Sequence, residues 1–143
     1  MKRSLWLIVG LSLSLLVGCA QQPPKDDSLY RDLGQRAGIQ KIVEGMLLHV
    51  ARDDRIYKYF AKVDIVRVRD KLVEKFCVEA GGPCTYTGDS LEEVHKGMNL
   101  SRSDFNALVE NLIDAMNEQH IPVTTQNRFI ARLAPQRGEV IEK

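Results

Sequence analysis

Three histidines, two cysteines seven residues apart and a glycine-rich connection are the features of this chain whose types could do chemistry. A neutral imidazole ligates metals and changes charge near neutral pH. His49, His95 and His120 are therefore each a candidate ligand or a plain surface group. His49 lies between Leu48 and Val50, off the apolar stripe of its segment, and reads as solvated. His120 sits in the turn before Pro122, where an imidazole can meet a helix carboxyl end. His95 differs in position. It follows Leu91 and Val94 on a short helical turn, is released by Gly97, and lies in a long connection between two core segments. From there a ring could project between helices and ligate a metal held among them. Cys77 and Cys84 allow either a disulfide or two free thiols, since spacing alone does not supply the Cα separation a bridge needs. A zinc site built from these two and His95 lacks paired short spacing.

The elements that must position these groups are helical. Ile39, Ile42, Val43, Met46, Leu47 and Val50 form one apolar stripe of an α-helix, the strongest periodic signal in the chain. A second stripe runs Ile65, Val68, Leu72 and Phe76, with Val73 beside it, and should stop at Gly81-Gly82-Pro83. A third helix begins at Ser101, whose hydroxyl can cap while Asp104 supplies the acidic residue three positions on; it should bury Phe105, Leu108, Val109, Leu112, Ile113 and Met116. The fourth covers roughly residues 124–133, with Phe129, Ile130 and Leu133 inward, and Pro135 kinks or ends it. No segment alternates at period two, so the fold class is all-α. The connection from Gly81 to Leu100 is long for a compact domain, and such loops are functional or ordered by what they bind.

With 143 residues the chain supports one domain with a real core. Lys2 and Arg3 followed by the apolar run Leu5 to Val17 read as an export signal over residues 1–18, too short for the about 20 apolar residues of a membrane span. It ends in Leu16-Val17-Gly18-Cys19, which resembles the lipobox of bacterial lipoproteins, with Cys19 as the acylated residue and a membrane attachment. Ala20 follows in place of Asp, which favours the outer membrane, facing the periplasm, in a cell with two membranes. Residues 19–27 have little to bury and read as a solvated tether, leaving 28–143 as the folded domain. Twenty basic against 19 acidic residues become 18 against 19 once Lys2 and Arg3 are removed. A mature charge of −1 on that arithmetic argues against nucleic acid as a partner. Export would also let a disulfide persist.

Gly81-Gly82-Pro83-Cys84-Thr85-Tyr86-Thr87-Gly88, followed by Val94-His95-Lys96-Gly97, resembles the GGPxxYTG and VHxG-type segments of group I truncated hemoglobins. The resemblance extends from about Leu29 to Glu139, including Tyr30-Arg31-Asp32-Leu33-Gly34 and Leu133-Ala134-Pro135. Gln35 departs from it, standing where the family often has the second of two glycines. The resemblance implies a truncated globin, a 2-on-2 helical sandwich around heme b, with His95 as proximal ligand and its other ring nitrogen bonded to a carbonyl. Phe60 then packs on the porphyrin, and Lys71 and Tyr86 reach the propionates. Phe76, Leu91, Val94 and Phe105 line the pocket. Lys71 alternatively lies on a solvated helix face, and Phe60 is equally an ordinary core residue.

On the distal side the positions matching the family's oxygen-binding tyrosine and glutamine read Leu47 and Leu72, with Val68 between them. A charge-assisted hydrogen bond to dioxygen is worth about 1.5–3 kcal/mol. Its loss implies weaker oxygen retention and relatively better binding of CO and NO. The leading expectation is a protein that binds a diatomic gas reversibly at the cell envelope. A heme enzyme of nitric oxide detoxification, by dioxygenation or a peroxidase-like reaction, is the alternative; its reductase is not named by these residues. A third reading is a helical interaction lipoprotein without cofactor, which predicts a colourless product.

Overall fold

A computed structural model describes residues 26–143. The export signal, Cys19 and all but the last two residues of the tether lie outside the described residues. Asp26 and Asp27, assigned above to a solvated tether, are instead docked: Asp26 accepts from the Ser28 backbone N–H at 3.0 Å, and Asp27 pairs with Arg31.

Six α-helices follow one another: α1 (Ser28–Asp32), α2 (Gln35–Val50), α3 (Ile65–Glu79), α4 (Leu91–His95), α5 (Arg102–Glu118) and α6 (Val123–Leu133). Single 3-10 turns lie at Tyr57–Tyr59 and Ala134–Glu139. The four long helices stand where periodicity puts them, because each has a stripe that must leave water. Their ends have identifiable causes. Asp64 caps α3 by accepting from the Val66 and Arg67 N–H groups at 3.1 Å each. Ser101 and Asp104 form a reciprocal capping box, the Ser101 hydroxyl accepting from the Asp104 N–H at 3.1 Å and the Asp104 carboxylate from the Ser101 N–H at 2.9 Å.

Helix α2 packs on α5 and on α3, and α3 packs on α6, so that one helix pair faces another. Close approach of α2 and α5 requires Gly45, where a Cβ would lie 3.3 Å from that of Ala115. The main core joins Leu29 and Leu33 to Ile39, Ile42, Val43 and Met46 of α2, Val73, Phe76 and Cys77 of α3, Leu112 and Met116 of α5 and Phe129 of α6. Each large side chain so buried contributes about 1.5–3 kcal/mol. Phe105, Leu108, Val109 and Ile113, expected inside, are only half-buried, and the small Ala107 and Ala115 take the innermost positions of α5. The buried Asn111 amide donates to Asp53 at 2.7 Å and to the Ala107 carbonyl at 2.8 Å, locking the turn after α2 onto α5. Arg55 completes that lock with bonds to Asp53 and, at 2.6 Å, to Glu110. His49 is not simply solvated; its Nε2 lies 3.1 Å from Glu118.

Gly34 and Gln35, at φ 82° and 59°, turn the chain from α1 into α2 through two successive left-handed residues. That explains a glycine pair at this point and makes exposed Gln35 a strained exception, by about 1–2 kcal/mol. Against the about 0.5–1 kcal/mol that glycine loses in chain entropy, Gln35→Gly should stabilise the fold by about 0.5–1 kcal/mol. A thermal melt should rise by roughly 2–6 °C, and an unchanged or lower midpoint would contradict the assignment of strain.

Candidate functional site

The connection from Gly81 to Leu100 carries α4 and His95, and it is tied down on both sides. At its start Cys77 of α3 and Cys84 are joined by a disulfide with a Cα separation of 5.9 Å, which resolves the alternatives that spacing left open. Three residues on, Glu74 of α3 accepts from the Thr87 backbone N–H at 2.9 Å and from the Thr87 hydroxyl at 2.9 Å. These bonds, first the Thr87 N–H and then the Lys71 ammonium, bring the Glu74 carboxyl down to about 2. Gly88 is required by packing, since a Cβ there would lie 2.4 Å from the Tyr86 hydroxyl oxygen.

Helix α4 is only five residues long. Ser90 caps it by accepting from the Glu93 N–H at 3.1 Å, and Glu92 and Glu93 place negative charge in its first turn. His95 closes it, half-buried, with Nδ1 2.7 Å from the carbonyl oxygen of Leu91. A carbonyl can only accept, so Nδ1 carries the proton and donates. Nε2 is left as the lone-pair nitrogen, turned away from its own helix's hydrogen bond. This is the outer bond that orients a ligating imidazole.

Along α3 the apolar stripe changes burial. Phe76 is buried, its ring edge-on to Phe129 at 5.0 Å; Leu72 and Val68 are half-buried; Ile65 is 46% exposed. Val94 beside His95 is 50% exposed. Apolar surface at these positions is therefore left open by the protein's own packing. Leu47 and Leu72 pack at the margin of the main core, and Phe60 packs with Leu108 on a smaller cluster around Val50, Ile56 and Ala107. Phe105 is half-buried with the Arg137 guanidinium 5.5 Å from its ring centre. Lys71 is engaged inside the protein, its ammonium bonding Glu74 at 3.0 and 3.1 Å and the Thr87 hydroxyl. Tyr86 donates to the Asp89 carbonyl at 2.7 Å. His120 is exposed at the end of α5 in a left-handed conformation, φ 55°.

Residues 28–142 match the model of the bacterial-like globin family. The chain is 30% identical over 119 residues to a group 1 truncated hemoglobin of Tetrahymena pyriformis, covering 83% of this chain and 98% of that protein. The chain belongs to the group 1 truncated hemoglobins. A second relative, from Tetrahymena thermophila, is 32% identical over 94 residues, 66% of this chain and 78% of its own length. The crystal structure of the Tetrahymena pyriformis truncated hemoglobin in its Fe(III) form superposes with a TM-score of 0.78 at 26% identity, covering 80% of this chain and 98% of that one. The two facing helix pairs are thus the 2-on-2 sandwich of the truncated globins, and the all-α expectation holds.

The residues present fit the heme that this family implies. A tautomerically fixed imidazole stands beside an apolar stripe whose first turns lack cover, and a flat apolar macrocycle needs both. The tie between Glu74 and Thr87 was not anticipated above, although Glu74 three residues after Lys71 is visible as a helical ion pair. Its partner across the loop is a contact between segments 13 residues apart that no local pattern announces.

Because the Glu74 carboxyl lies near 2 when folded against an ordinary value of 4.5, its contribution to stability is full above about pH 4.5 and is lost as pH falls toward 2. Glu74→Gln should therefore flatten the acid limb of stability between those values and loosen Thr87. Chemical denaturation across pH 2–6 checks this, and parallel curves for the two proteins would contradict it.

Proposed function

We propose that this truncated hemoglobin holds a b-type heme through the Nε2 of His95 and binds a diatomic gas, O2, NO or CO, reversibly. The observation that carries the reading is the 2.7 Å bond from His95 Nδ1 to the Leu91 carbonyl, which leaves Nε2 as the ligating nitrogen next to open apolar surface. When bound, the heme supplies an iron with one coordination position for the gas. Phe60, Val68, Leu72, Leu91, Val94 and Phe105 supply its apolar walls, with Phe76 behind them in the core. Both cysteines of the described residues are spent in the disulfide, which supports a non-covalent heme. Lys71 and Tyr86 are the propionate partners by family position. For Lys71 that role requires exchange of the Glu74 contact for a propionate carboxylate of like charge.

On the distal side Leu47, Val68 and Leu72 offer only carbon to a bound ligand. Without a donor, oxygen is held more weakly than CO or NO, and tight retention of oxygen for nitric oxide dioxygenation is not supported. A peroxidase-like reaction wants a distal acid or base, which these three positions do not provide. Cys19 places the domain at the cell envelope as a lipid-anchored protein facing the periplasm, by the reading of its leader. In fractionated cells Cys19→Ser should move the protein out of the membrane fraction, whereas retention there would remove the lipid anchor from this account.

Hemin titrated into the protein should give an intense Soret band saturating at one equivalent. His95→Gly should weaken binding by more than the roughly 10–100-fold typical of losing an outer-shell partner, and added imidazole should restore the band. Absence of a Soret band in the wild-type protein contradicts the proposal outright. Leu47→Tyr, which returns a donor to the pocket, should slow oxygen release by about one to two decades.

A further inference from the structure

We infer that the segment after α6, residues 137–143, is a strap that positions His95, so that grip on the cofactor is set in part by residues far from it in sequence. The inference rests on the heme reading above. Helix α4 cannot hold itself: a single five-residue turn is below the length at which helices persist alone, and none of its residues is buried. The element it packs against is the 3-10 turn at 134–139. Immediately after His95, which accepts from the Met98 N–H at 3.0 Å, the chain bends through left-handed Gly97 and Asn99, φ 79° and 48°. That bend lays Leu100 alongside Ile141 in an isolated parallel bridge. The Glu142 N–H donates to the Leu100 carbonyl at 3.0 Å, and the Asn99 N–H donates to the Lys143 carbonyl at 3.0 Å.

Three further contacts belong to the same strap. Leu100 and Val140 are buried, at 8% and 7% exposure, which makes this more than a fraying end. The Lys143 ammonium lies 3.8 Å from the Glu92 carboxylate on α4 itself. Arg137 covers the ring of Phe105, a residue placed above in the wall of the pocket. Backbone bonds therefore hold the chain four and five residues beyond His95, while Glu74 and the disulfide hold it before Ser90. The imidazole is fixed between two anchors, and only the second lies next to it. Residues in this strap act through His95 and touch neither iron nor gas; they are positioning residues.

Three variants test this: deletion of residues 140–143, Asn99→Val and Asn99→Gly. Valine is strongly disfavoured at positive φ whereas glycine adopts it freely, so the first two break the strap and the third keeps it. Circular dichroism reports whether each variant is folded. In the heme-free protein, amide hydrogen exchange over residues 93–98 should quicken by about tenfold in the first two variants, as expected for the loss of one or two backbone bonds, and stay at the wild-type rate in Asn99→Gly. In the hemin-loaded protein the same two variants should lose hemin to an apomyoglobin acceptor about tenfold faster and shift the iron–imidazole stretching band, with Asn99→Gly unchanged. Wild-type exchange in the deletion variant overturns the strap. Faster exchange with unaltered hemin loss and an unmoved band overturns its role in positioning. Wild-type protein that takes up no hemin overturns both this inference and the heme reading, whereas hemin uptake with unchanged exchange overturns the strap alone.

Discussion

The hydrogen bond from His95 Nδ1 to the Leu91 carbonyl is the constraint on which the rest of the site depends. It spans one helical turn, from a side chain to the carbonyl four residues earlier, and so exists only while α4 is helical. It also decides chemistry: an imidazole with its proton on Nδ1 presents Nε2 as a ligand, and the opposite tautomer would present an N–H. A five-residue helix supplies that geometry but not the stability to keep it, because nucleating a turn is unfavourable and α4 buries nothing. The surrounding structure must supply it.

It does so by pinning a twenty-residue connection to elements that the core already fixes. Helix α3 carries Phe76 and Cys77 into the core, and from the same helix reach the disulfide to Cys84 and the Glu74 carboxylate to Thr87. The capping box at Ser101 starts α5 at the other end of the connection. A site assembled this way combines rigid attachment with an open apolar face. The stripe of α3 runs from buried Phe76 to exposed Ile65, as expected of a helix whose first turns are meant to be covered by something other than protein. The same apolar character on the distal side, at Leu47, Val68 and Leu72, sets the expected preference among gases.

Much of this was legible in the residues. The four long helices announced themselves through stripes that burial enforces, and Ser101 with Asp104 marked a helix start because a short polar side chain and an acid three residues on satisfy orphan N–H groups. His95 was singled out by its place on a short turn released by glycine. The glycine motif is explained by contact: Gly82 lies against the Tyr30 ring and the Cys77 sulfur, and Gly88 against Tyr86. What the residues did not reveal were contacts between distant segments. Helix α1 is too short to show a period, and the half-burial of Phe105 and Leu108 reflects how close Gly45 lets α2 come to Ala115. The Cys77–Cys84 bridge, the grip of Glu74 on Thr87 and the pairing of Leu100 with Ile141 depend on tertiary placement that no local pattern encodes.

The tautomer of His95 in the heme-free protein is the most direct test of the central claim. Long-range proton–nitrogen correlation spectra of the ring, recorded at about pH 8.5 where a free imidazole is neutral, distinguish the two forms. The account predicts a pyrrole-type Nδ1 bearing the proton and a pyridine-type Nε2. A spectrum with the proton on Nε2, or with both forms in rapid exchange as in a solvated imidazole, would contradict it.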